Sequence, residues 1–285
     1  MSGPATERVA IVTGGARGIG RAMALGLLGA GYCVMANDIA PDALEQLTRD
    51  AAERQGAAPL ATIAADVATD DGVAAILRET MARFGRLDIL INNAGIDAHL
   101  LRPAGSERPK NFRDVTPDEF RRVIMVNAVA GFLMTRAAVE PMLAQGWGRI
   151  INVTTSLDTM FRKSMLPYGP AKACNEAYCA VMAEELAGTG VTVNILVPGG
   201  PVNTRLVGRS FSDAERLQLI QPEVMVTPLL WLVSDATNAI TNKRFIAGAW
   251  NRALLAAEAA EKCSAPIAWP QLGRQAVFPA GRSPA

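Results

Sequence analysis

The chain has 285 residues, half of them hydrophobic, with 28 Lys and Arg against 27 Asp and Glu. That is enough apolar material for one large α/β domain or two small ones, and the balanced charge offers no footprint for nucleic acid or an acidic membrane surface. His99 is the only histidine, so no metal site is expected and a Ser-His-Asp triad built on any other histidine is excluded. The four cysteines form no CxxC pair and read as small buried hydrophobes in a reducing compartment. The opening MSGPATERVA lacks the apolar run of a signal peptide, and no stretch of about 18 uninterrupted apolar residues is present to cross a bilayer. The expected location is the cytoplasm, with neither a membrane nor a nucleic-acid partner.

Short apolar runs alternate with helical patterns along the chain. Arg8–Thr13 reads as a buried strand and Gly18–Gly29 as the helix after it. Tyr32–Asn37 is the second strand. Pro41–Gln55 is an amphipathic helix with proline in its first turn and Gly56 as its stop. Ala58–Ala65 is a weaker strand. Asp70–Phe84 is a helix with acidic residues at its positive end, and Leu87–Ile91 is the fourth strand. A polar, irregular stretch, 96–115, carries Arg102, Arg108, Lys110 and Arg113. A long helix then opens at Thr116 and runs to about Gln145. Arg149–Val153 is the fifth strand, Pro167–Ala187 a helix and Val191–Val197 the sixth strand. A shorter helix near Pro228–Ser234 and a strand near Arg244–Ala247 follow. Fully apolar strands alternating with helices predict a doubly wound Rossmann-type α/β domain of about seven parallel strands, covered on both faces. Residues 1–249 form this domain, and 250–285 a C-terminal extension of it, rich in Ala and Pro.

Thr13–Gly20, TGGARGIG, lies between the first strand and the first helix. Gly14, Gly18 and Gly20 permit a tight turn and the approach of a pyrophosphate to the helix N-terminus, with Arg17 and Ile19 in the same loop. The second strand ends at Asn37-Asp38, about 20 positions on, where a carboxylate is placed to bond adenosine ribose hydroxyls and to repel an added phosphate. NAD is therefore expected ahead of NADP. Arg17 argues the other way, since a guanidinium in the loop could pair with that phosphate.

Tyr168 and Lys172 stand four apart on a predicted helix and so share a face. A phenol is a poor base at neutral pH. A neighbouring ammonium and a bound nicotinamide cation are expected to favour its phenolate and lower its pKa, making it a general acid/base.

TGGARGIG at 13–20, NNAG at 92–95, Asn127 and the Tyr168/Lys172 pair together resemble the short-chain dehydrogenase/reductase family over about residues 8–248. That resemblance implies an NAD-dependent oxidoreductase interconverting a secondary alcohol and a ketone, with Tyr168 as acid/base. Lys172 is implied to hold the nicotinamide ribose, and Asn127 a water leading from the lysine to solvent. Asp66 and Val67 are implied beside the adenine, and Asn93, Ala94 and Gly95 along the cofactor groove. Pro198, Gly199, Val202 and Thr204 are implied around the nicotinamide carboxamide and pyrophosphate. The PGGPVNT segment has one residue more than the common pattern, which loosens the assignment near Val202. The family's substrate-binding serine stands about thirteen residues before the tyrosine, and that spacing selects Thr155. Ser156 is the competitor, reachable through a one-residue bulge.

The substrate pocket is expected between Ile96–Arg113, Leu157–Pro167 and Arg205–Val224, at the carboxyl ends of strands four to six. Arg162-Lys163 suits a carboxylate or polyol, although a solvated loop is the blander reading, and His99 is a further candidate contact. Met160, Phe161, Met165 and Leu166 suit an apolar lining equally well. Trp250 and Trp269 read as packing anchors. The family commonly pairs its fourth and fifth long helices across a two-fold, so a homodimer or homotetramer is expected. Two alternatives keep the same fold: a non-redox enzyme using the tyrosine as base, and a cofactor-sensing protein with no turnover.

Overall fold

The computed structural model describes residues 8–54, 58–103, 106, 108–207 and 211–270. Eight strands make one sheet: β1 (Val9–Thr13), β2 (Cys33–Asp38), β3 (Leu60–Ala64), β4 (Ile89–Asn92), β5 (Gly148–Val153), β6 (Val191–Val197), β7 (Lys243–Ile246) and β8 (Ser264–Pro266). Their order is β3-β2-β1-β4-β5-β6-β7-β8. The first seven are parallel, and β8 joins the edge antiparallel to β7. The expected seven parallel strands are present, and an eighth, antiparallel one that the sequence did not signal is added. Ser264-Ala265-Pro266 is too short and too polar to register as a strand, and its proline is tolerated because it lies at an edge. Residues 250–270 are stitched to the sheet through this strand.

Helices cover both faces: α1 (Gly18–Gly29), α2 (Pro41–Ala52), α3 (Asp70–Phe84), α4 (Pro117–Ile124), α5 (Ala130–Gln145), α6 (Leu157–Phe161), α7 (Tyr168–Glu185), α8 (Asp213–Gln218), α9 (Val226–Leu232) and α10 (Ala256–Cys263). Thr69 caps α3 by accepting from the Gly72 amide, and Gly85 ends it at φ +73°. Helix α2 ends at Ala52, short of the predicted stop at Gln55-Gly56, which lies outside the described residues. The long helix from 117 to 145 is interrupted by a π-turn at Met125–Val129. Helix α6 is unanticipated, because five residues are too few for a periodic signal.

Alternation along the strands divides the core in two. Ala10, Val12, Ile151 and Leu196 face Met23, Leu27, Leu28, Leu229 and Leu232 on one side of the sheet. Ile11, Ile150, Val193 and Ile195 face Ile76, Met134, Met142 and Cys179 on the other. The Pro117–Gln145 segment is long and apolar enough to cross a bilayer by length and composition alone, but 50% of its apolar window is buried inside the fold. Trp250 packs on Trp231 with ring centres 5.6 Å apart, as a packing anchor would.

Candidate active site

Strand order reverses between β1 and β4, so a crevice opens at their carboxyl ends. The phosphate loop forms one wall. Gly14 and Gly18 have φ of +60° and +50°, and a Cβ on Gly20 would fall 2.0 Å from the Gly14 carbonyl oxygen. Helix α1 begins with no side-chain cap and no acidic residue in its first turn. Its free amides suit a diphosphate, so the loop fits the expected dinucleotide. Thr204 leans over the loop: a Cβ on Gly18 would meet its methyl at 2.9 Å.

Asp38 is 5% exposed at the end of β2, and its carboxylate accepts from Arg17 Nη2 at 2.6 Å and from the Ala40 amide at 3.2 Å. The two residues that argue for different cofactors are therefore paired with each other. Asp66 is held by Arg122 at 2.8 Å and by the Ala68 amide at 3.0 Å, and Val67 beside it is buried.

The NNAG turn is sewn to the loop. Asn93 Nδ2 donates to the Thr13 and Gly14 carbonyls at 2.9 and 3.1 Å, and the Thr13 hydroxyl accepts from the Asn93 and Ala94 amides. Asn92 instead reaches Gly131 and Thr135 and pins β4 to α5. Asn127 sits in the π-turn, a device that recurs at functional sites. Its side chain donates to the Ile96 and Val123 carbonyls at 2.8 and 2.9 Å, and its own carbonyl accepts from Asn175. A Cβ on Gly95 would meet Asn127 Oδ1 at 2.8 Å and Lys172 Nζ at 3.6 Å, so glycine is what lets the three lie together.

Tyr168 opens α7, and Lys172 follows one turn later. The Thr155 side chain acts on the Tyr168 phenol, pulling its pKa down. Ser156 is turned to Thr159, with the two hydroxyl oxygens 2.7 Å apart. Of the two candidate hydroxyls, Ser156 is thus engaged with Thr159, while Thr155 is the one that acts on the phenol. Lys172 is 3% exposed, donates to the Val153 carbonyl at 2.8 Å and lies 5.9 Å from the centre of the Tyr168 ring. Burial pushes its pKa down to about 8. Burial and then the Asp97 carboxylate push the pKa of the Tyr168 phenol up, to about 12, against weaker pulls downward from Arg108 and Thr155. Desolvation outweighs the Arg108 cation, and burial of this kind is not legible in the spacing of two residues.

A buried pair that the sequence did not flag supports this corner. Glu176, one turn beyond Lys172, receives Arg244 Nε at 3.0 Å and the Thr154 hydroxyl at 3.1 Å. Arg244 also donates to the Thr155 carbonyl. Beside Lys243 in β7, Arg244 gave no sign that its side chain points inward.

The three predicted pocket walls meet at Arg108. Its Nη2 lies 2.6 Å from Asp97 Oδ2 and 3.5 Å from the Leu206 carbonyl, and its Nη1 lies 3.3 Å from Met165 Sδ. Arg162 Nη2 approaches the same sulfur at 3.7 Å. His99 is nine-tenths buried, with Nδ1 3.7 Å from Asp97 and no hydrogen-bond partner for either ring nitrogen among the described residues. Arg108 and Asp97 were inside the predicted wall but had no mark to set them apart from its other charges.

Known proteins share this arrangement of elements. The short chain dehydrogenase family description matches residues 8–215. A 3-oxoacyl-[acyl-carrier-protein] reductase of Synechocystis sp. is 36% identical over 250 residues, covering 84% of this chain and 95% of its own. Levodione reductase superposes with a TM-score of 0.72 at 25% identity, covering 82% of this chain and 93% of that one. A variant of actinorhodin polyketide ketoreductase, solved with NADPH, superposes with a TM-score of 0.70 at 26% identity over the same shares. With its glycine loop, sheet order and extended match to such enzymes, the chain belongs to the short-chain dehydrogenase family of oxidoreductases.

Proposed function

We propose that this oxidoreductase interconverts a secondary alcohol and a ketone on a small molecule, with Tyr168 as general acid/base. The observation that carries the reading is the convergence of Tyr168, Thr155 and Lys172 at the carboxyl end of β5, beside a loop shaped for a dinucleotide. The bound nicotinamide supplies or accepts the hydride at the carbinol carbon. In reduction, the Tyr168 phenol gives its proton to the carbonyl oxygen as the alcohol forms, and Thr155 donates a hydrogen bond to the same oxygen. In oxidation, the phenolate takes that proton back. Burial favours the neutral phenol, the form that can donate a proton to a carbonyl oxygen. Lys172 holds the ribose side of the cofactor, and Asn127 fixes the turn beside it.

The cofactor is NAD. Asp38 is held at the end of β2 by Arg17, and a ribose phosphate would have to displace that carboxylate. The ketoreductase relative carries NADPH, so both cofactors belong in the assay. Phe120, Phe132 and Val181 stay exposed on α4, α5 and α7 and suit the two-fold pairing of a homo-oligomer. An alcohol and ketone panel read at the NADH absorbance band, with NAD and NADP in parallel, tests the function. Tyr168→Phe removes turnover and keeps cofactor binding. A Tyr168→Phe protein as fast as the parent would overturn the reading.

A further inference from the structure

Two guanidinium groups from different walls of the pocket approach one sulfur. Arg108, from the loop after β4, and Arg162, from the segment after α6, come within 3.3 and 3.7 Å of Met165 Sδ. Their spacing is held by a latch between the same two walls, since the Ser164 hydroxyl donates to the Lys110 carbonyl at 2.7 Å. Arg108 is oriented from behind by Asp97, whose side chain is 3% exposed. Arg162 has no acidic partner among the described residues. Asp97 offsets Arg108 while Arg162 keeps its charge, so the arginine pair retains an excess positive charge that a carboxylate would neutralise. Arg108 and Asp97 also act on the Tyr168 phenol, so this pair lies within electrostatic reach of the proposed reacting group. A neutral substituent seated here would bury part of Arg162 and leave its donors unpaired, whereas a carboxylate satisfies a guanidinium with two parallel hydrogen bonds.

We propose that the substrate is an oxo or hydroxy acid whose carboxylate sits between Arg108 and Arg162. This rests on the reading of Tyr168 as the group that meets the carbonyl oxygen. Arg162 supplies the unpaired charge. Arg108, tied to Asp97, supplies a fixed direction and keeps the net charge suited to a carboxylate rather than to a dianionic phosphate.

The test compares 3-, 4- and 5-oxo acids with their methyl esters on the cofactor-loaded protein, and adds calorimetric titration with glutarate, an unreactive dicarboxylate. At one chain length the acid is expected to exceed its ester in kcat/KM by at least tenfold, chiefly through KM. Arg162→Gln, an exposed and fold-tolerant change, brings that ratio close to one and weakens glutarate binding about tenfold, and Arg108→Gln acts in the same direction. Turnover of esters and acids alike, with a ratio that Arg162→Gln does not move, overturns the carboxylate site and leaves the oxidoreductase reading standing. Glutarate binding that depends on both arginines, with no turnover of any oxo compound, supports the site and sinks the oxidoreductase reading instead. Glutarate binding that neither substitution alters overturns the site, as does its absence.

Discussion

Arg244 on β7 and Glu176 on α7 meet at 3.0 Å in the interior, and through this pair the strand at one side of the site grips the loop that carries Thr155. Both side chains are almost wholly buried. Arg244→Leu alone strands the carboxylate and is expected to cost about 3–5 kcal/mol in urea unfolding. Arg244→Leu with Glu176→Leu regains most of that stability, because neither charge is then left alone. The double variant still turns over at least tenfold more slowly, since the Thr155 carbonyl has lost its anchor. Parental kcat in the double variant would show that the pair has no part in positioning Thr155.

Thr155 and Ser156 separate cleanly under substitution. Thr155→Val keeps the shape, removes the hydroxyl facing Tyr168, and is expected to lower kcat by roughly 100-fold. Thr155→Ser restores most of it. Ser156→Ala breaks only the contact with Thr159 and leaves kcat within about threefold, at a cost of about 0.5–1 kcal/mol. The opposite ranking in steady-state kinetics would exchange the two roles.

Lys172 makes the fold less stable at neutral pH. Its pKa falls from the ordinary 10.5 to about 8, so the folded state resists the ammonium. The penalty is full below pH 8 and is relieved as pH rises from about 8 to 10.5, where the unfolded chain also loses the proton. Lys172→Met is therefore expected to be more stable than the parent at pH 7, by about 1–3 kcal/mol after the lost bond to Val153 is counted, and inactive. The gain should shrink in denaturant titrations as pH approaches 10. A gain that does not depend on pH would contradict the buried charge.

The Arg17–Asp38 pair predicts what cofactor selection responds to. Asp38→Ser removes the carboxylate and releases the guanidinium to meet a ribose phosphate. The ratio of NADPH to NADH affinity, read by fluorescence titration, is expected to rise at least tenfold. An unchanged ratio would place cofactor choice elsewhere.

Acid stability depends on the start of α4. Arg102 holds the Glu119 carboxylate by two bonds, at 2.5 and 3.0 Å, and Glu119 also closes the capping box with Thr116. Its pKa drops from 4.5 to about 2, led by the bond from Arg102. That stabilisation is present above pH 4.5 and is lost as pH falls toward 2. Water screens the pair, so Glu119→Gln should cost about 1–2 kcal/mol at pH 7 and almost nothing at pH 2. Equal costs at both values would exclude the pair as the source.

The sequence by itself determined the alternation of buried strands and helices, the glycine turn before α1, and the shared face of Tyr168 and Lys172. These are local properties: burial periodicity, φ freedom and helical spacing are written within a dozen residues of one another. It also favoured Thr155 by counting. Only the tertiary structure decided the rest, because it depends on residues far apart in the chain. The eighth strand is set by pairing with β7 rather than by its own three residues. The raised pKa of the phenol comes from desolvation, which belongs to the packed site and to no single side chain. Arg17 meets Asp38, Arg244 meets Glu176 and Thr155, and Arg108 meets Asp97 and Met165 across 11 to 89 positions of sequence. No local pattern marks a long-range ion pair, since a charge on a loop or strand reads the same whether its partner is water or a buried carboxylate.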